Sequence, residues 1–253
     1  MILSRISKAV REQNWFAVAL EFIIVVAGVV IGFMVTGWAE RQNELRDEVR
    51  ILERLHTEGR ELLETRQGLT EFRSRWGDAL VELRSELFTG TENSLTVEQC
   101  RAIAGSHIYS LPPDSLPTLE DLLATGRLDI IDSRAVRESI SAYLLGRDSA
   151  RNYSDAINNQ LVRLASAYPD LMPMDLAPSD DPDDRDGFDR VIDCDLAGMR
   201  ADNGFRNELM DNIARFQSFT YVGIEPLSER LEEMIAAIEA ELGIEPQDAE
   251  AAE

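Results

Sequence analysis

Apolar positions fall into two regimes along this chain. Residues 15–38, WFAVALEFIIVVAGVVIGFMVTGW, are apolar on every face and hold one ionisable residue, Glu21. Beyond residue 38, apolar side chains instead recur at helical spacing between polar ones. A helix that is apolar all round suits lipid better than a half-exposed protein surface. Its 24 residues reach about 36 Å at about 1.5 Å per residue, enough for a hydrocarbon core of about 30 Å. Trp15 and Trp38 stand at its two ends, where amphipathic rings anchor at the interface. The run is too long for the apolar region of a cleaved signal peptide, and Gly37-Trp38-Ala39-Glu40 offers no small-x-small cleavage site. The pattern predicts an uncleaved membrane-spanning helix over 15–38.

The second regime reads as all-α. Leu45, Leu52, Leu55, Leu62, Leu69, Trp76, Leu83 and Leu87 form one stripe of a long helix that continues the span. Gly59, Arg66 and Arg73 interrupt that stripe, so a helix packed on its own domain is expected rather than a strict coiled coil. Thr96 with Gln99 predicts a capping box and a short helix to about Ser110. The proline-rich Leu111–Pro117 forbids helix, Thr118 with Asp121 starts another, and Gly126 closes it. Ser133 is the expected cap of a long helix reaching about Tyr168. Its stripe is Val136, Ile140, Tyr143, Ala150, Ile157, Leu161 and Leu164, and Pro169 stops it. Leu171–Cys194 is a Pro- and Asp-rich excursion with no convincing strand alternation. Phe205, Leu209, Ile213, Phe216 and Thr220 mark the next helix. Pro226 opens the last, which carries Leu227, Leu231, Met234, Ile238 and Leu242 before Gly243. The expected fold is an antiparallel helical bundle around one core.

Charge narrows the function. From residue 39 onward, 22 Arg and no Lys face 45 Asp and Glu, a balance of −23. That surface repels polyanions, so a nucleic-acid partner is not expected. A short basic stub over 1–14, with Arg5, Lys8 and Arg11, tends to stay inside, while long domains translocate largely regardless of charge. The expected layout is a cytoplasmic stub over 1–14, the span over 15–38, an acidic helical bundle over 39–243 in a bacterial periplasm, and a disordered acidic tail over 244–253.

Candidate chemistry is sparse. Gly28 and Gly32 form a G-x-x-x-G with Thr36 one turn further, and Glu21 lies on roughly the same face. Small residues let backbones approach closely while a carboxyl group finds a partner across the seam. Self-association or docking to another membrane protein is the expectation there. Cys100 and Cys194 are the only cysteines; outside the cytoplasm they read as one disulfide, with two unrelated buried thiols as the alternative. Asp180–Gly187 invites a calcium reading, but Pro182 occupies the first loop position, so a solvated acidic loop is favoured and no metal is expected. His56 and His107 are the only histidines, and no nucleotide-binding, zincin or nucleophile-elbow motif is present. Neither catalysis nor a cofactor is expected.

The combination of Glu21, Gly28, Gly32, Trp38 and Glu40-Arg41 resembles an uncharacterised bacterial family of single-pass membrane proteins. A second patch, Leu122-Leu123 through Gly126, Leu128, Ile131, Arg137 and Tyr143, is similar to the family's internal helix-turn-helix. The chain departs at Thr36-Gly37-Trp38-Ala39, where the family usually carries Asn beside the Trp. The resemblance implies an N-terminal anchor and a helical extracytoplasmic domain, and brings no activity with it. The leading expectation is an inner-membrane scaffold or accessory subunit; the alternative is a periplasmic small-ligand sensor that signals through a separate partner.

Overall fold

The computed structural model describes residues 15–90, 93–159, 162–178 and 188–245, leaving aside the side chains of residues 15–18, 21, 188 and 190. Among the described residues the fold is all-α apart from one short hairpin. Its helices are α1 (Trp15–Thr89), α2 (Val97–Gly105), α3 (Pro117–Thr125), α4 (Arg134–Asn158), α5 (Leu164–Ala167), α6 (Leu196–Ala201), α7 (Asn203–Ser218) and α8 (Glu225–Leu242). The hairpin pairs β1 (Met174–Pro178) antiparallel with β2 (Phe188–Ile192). The chain divides into two compact units, Met1–Ile51 and Leu52–Glu253.

In the second unit, α1 and α8 run antiparallel along a seam that can be followed residue by residue. His56 Nε2 meets Glu239 Oε1 at 2.9 Å, a Cβ on Gly59 would lie 3.1 Å from Ile235, and Arg66 Nε donates to Ser228 Oγ at 3.1 Å. Arg73 lies over the rings of Phe216 and Phe219, and Gly77 approaches Phe216. Helix α4 also packs antiparallel to α8, with Gly146 against Leu227 and Arg230, and Tyr153 against Gly223 just before that helix. Leu52, Leu55, Leu62, Leu83 and Leu87 are buried, as the stripe predicts, and Trp76 is half-buried. Leu45 and Leu69 are exposed. The three interruptions at Gly59, Arg66 and Arg73 are therefore contact points rather than gaps in the pattern.

Local signals and tertiary partners divide the helix ends between them. Thr96 and Gln99 make both arms of the capping box, while Gly126 and Gly243 close α3 and α8 at φ 68° and 67°. Helix α2 stops at Gly105, short of the expected Ser110, because Ile103 O takes hydrogen bonds from the Ser106 hydroxyl and amide. Thr118 does not cap α3. Pro117 is its first residue, and the Thr118 amide and hydroxyl donate instead to Glu58 at 2.9 and 2.6 Å. Ser133 sits at the N-cap of α4 without a side-chain bond. That helix ends at Asn158 rather than near Tyr168. Beyond it Asn212 Nδ2 donates to Val162 O at 2.9 Å and to Ser106 Oγ at 3.0 Å, holding the connection to α5 in place; Leu161 lies outside the described residues. A π-helical turn, Phe219–Ile224, links α7 to α8, so the two expected helices join without a loop. The hairpin corrects the expectation of an excursion without strands; its five-residue strands are too short for alternation to stand out.

Candidate functional site

The described part of the first unit is the opening stretch of α1. From Leu20 to Arg41 every described side chain is exposed, including Phe22, Ile31, Phe33 and Met34. This helix is long and apolar enough to cross a membrane. Nothing lies within 4 Å of where a Cβ would stand on Gly28 or Gly32, so both present open backbone. Thr36 Oγ1 donates to Gly32 O at 3.0 Å, satisfying its hydroxyl within the helix, and Trp38 is exposed. The Glu21 and Trp15 side chains lie outside the described residues, as does the acidic segment over 180–187 weighed for calcium. Among the described residues no cluster of His, Cys, Asp or Glu is placed to hold a metal ion.

In the second unit, Cys100 of α2 and Cys194, just beyond β2, form a disulfide with Cα atoms 5.9 Å apart. The bond borders a half-open cleft of ≈ 420 Å³ lined by Trp76, Arg101, Ala104, Gly105, His107, Ile108, Arg163, Ala165, Ser166, Met174 and Ile192. Gly105 is required there, since a Cβ would fall 2.1 Å from the Trp76 ring. His107 is half-buried, and its Nδ1 has no hydrogen-bond partner. Burial lowers its pKa below the ordinary 6.5; the Ala104 backbone opposes this, without a hydrogen bond of acceptable geometry to Nδ1, and the Arg163 charge adds to the lowering. The ring is thus neutral at pH 7. A neighbouring cleft of ≈ 290 Å³ shares Trp76 and Ile108 and is lined also by Leu69, Phe72 and Arg73. Burial lowers the Arg73 pKa to about 10, so the group stays charged, and it donates to Ile108 O at 2.8 Å.

A third polar feature is structural. Arg66 is fully buried and donates to the carbonyls of Pro112, Pro113 and Ile224 at 3.3, 2.8 and 3.1 Å, besides Ser228. It pins the Pro-rich connector to the end of the π-helical turn. Around it Tyr143 donates to Asp114 O, Arg151 forks onto the Asp114 carboxylate, and Arg147 pairs with Glu120. Burial lifts the Tyr143 pKa to about 12 and lowers that of Arg66. These bonds hold the connector to the helices around it, and Arg147 Nε is a buried atom without a partner.

Of the residues singled out from sequence, Trp76 and His107 line the larger cleft, while Cys100 and Cys194 brace its edge. Trp76, Arg101, Arg163, Met174 and Ile192 come from five separate stretches, and no local motif joins them. Comparison with family models, with curated proteins and with solved structures finds no match.

Proposed function

We propose that this chain is a single-pass protein of a bacterial inner membrane, acting as an interaction scaffold or accessory subunit with no chemistry of its own. The carrying observation is the exposed apolar stretch of α1 from Leu20 to Trp38, in contrast to the helices of the second unit, which bury most of their apolar stripes. In water such a surface costs about 25 cal/mol per Å2 of apolar area, a cost that lipid removes. Open backbone at Gly28 and Gly32 supports close packing of a second membrane helix. The Cys100–Cys194 bond supports an oxidising compartment for the second unit, hence a periplasmic domain and a cytoplasmic stub.

Crosslinking in native membranes, followed by identification of the captured chains, tests the assembly role. Specific crosslinks that weaken in Gly28→Leu and Gly32→Leu are expected; a chain released by alkaline wash, or crosslinks indifferent to both substitutions, refutes it. Maleimide labelling of Cys100 and Cys194 in intact and lysed cells, before and after reduction, tests the topology. A second reading, a periplasmic small-ligand binding domain, is favoured by one observation: a cleft of ≈ 420 Å³, within the range of about 300–1,000 Å³ usual for ligand sites.

A further inference from the structure

We propose that the larger cleft binds a small organic monoanion, a carboxylate with an aromatic or branched apolar body, held by Arg101 and Arg163 over the Trp76 ring. The proposal rests on the ligand-binding reading and names its ligand class. The chain carries 47 Asp and Glu against 25 Lys and Arg, yet among the described residues none that lines this cleft is acidic. Some other exposed arginines pair with a carboxylate of their own helix, Arg50 with Asp47, Arg134 with Glu138, and Arg230 with Glu233. Arg101 and Arg163 have no ion pair among the described residues. Two guanidinium groups facing one concavity match the planar, forked geometry of a carboxylate.

The rest of the wall selects the body of the ligand. Trp76, Ile108, Met174 and Ile192 are apolar and lower the local dielectric, which strengthens any ion pair formed beside them. The net charge of −22 repels polyanions, so singly charged ligands are favoured over phosphorylated ones. The walls are also held before any ligand arrives. Arg101 and Ile192 flank the Cys100–Cys194 bond in sequence, and Gly105 leaves the space that the Trp76 ring fills. Such preorganisation reduces the ordering cost of binding.

The test uses the full-length chain in nanodiscs with two soluble probes, 4-fluorophenylacetate and its neutral amide, followed by fluorine NMR line broadening against empty nanodiscs. The carboxylate is expected to bind about tenfold or more tightly than the amide, the usual worth of hydrogen bonds to a charged group. Arg101→Gln and Arg163→Gln, both at exposed positions, should each remove most of that preference, and Ala165→Trp should block both probes by filling the cleft. Unchanged melting temperatures in these variants establish that the effects are local. Equal binding of both probes, lost in Ala165→Trp, overturns the anion assignment while leaving a ligand cleft. Binding of neither probe overturns the anion assignment together with the ligand-binding reading.

Discussion

Arg66 shows how much one buried charge can organise. Its position in the α1 stripe calls for an apolar side chain, yet its guanidinium satisfies three backbone carbonyls drawn from segments 46 to 158 residues away. Arg66→Met keeps an apolar body of suitable length but leaves those carbonyls without a donor, each at about 1–3 kcal/mol. A loss of about 3 kcal/mol or more in urea unfolding is expected, with part restored in Arg66→Lys; a Met variant as stable as the parent would refute the role. His107 gives a pH signature. Its folded pKa lies below the unfolded 6.5, so the unfolded chain takes up the proton first as pH falls. Its contribution is complete above about pH 6.5 and is lost on descent through the lower folded value. Melting temperatures between pH 7.5 and 5 should fall less steeply in His107→Gln than in the parent.

At the scale of elements, the seam of α1 with α8, α7 and the turn between them turns apparent defects into fittings. Gly59 receives Ile235 and Arg73 spreads over two Phe rings, so small or cationic residues stand where helix faces cross. Helix periodicity was legible because it depends on neighbours three and four residues apart; what fills each notch lies on another helix. The disulfide joins elements that spacing cannot bring together, since 94 residues separate its ends. Closing such a loop is worth about 4–5 kcal/mol in the chain-entropy account and commonly less. Cys100→Ser with Cys194→Ser should lower unfolding free energy by about 2–4 kcal/mol, and a reducing agent should then have no further effect. Equal urea midpoints for the parent, oxidised and reduced, would remove the bond from any structural account.

Across the whole molecule, charge imbalance is the dominant long-range term. A net −22 produces self-repulsion that opposes compaction, and salt screens it as the Debye length shrinks from about 30 Å at 0.01 M to about 8 Å at 0.15 M. The melting temperature of the full-length chain in nanodiscs should therefore rise by about 2–4 °C over that range. A fall would mean that local pairs such as Arg151–Asp114 outweigh the net field.

The sequence alone determined the switch at residue 38 from an all-round apolar helix to amphipathic ones, the capping box at Thr96, the glycine stops at 126 and 243, and the all-α class. Each depends on contacts within one turn of helix or on bulk composition. Tertiary structure alone decided the acceptors of Arg66, the diversion of Thr118 to Glu58, the pairing of β1 with β2, and the meeting of Arg101, Arg163 and Trp76 at one cleft. Most of these unite groups tens of residues apart, and all depend on the chain closing on itself, so no local pattern encodes them.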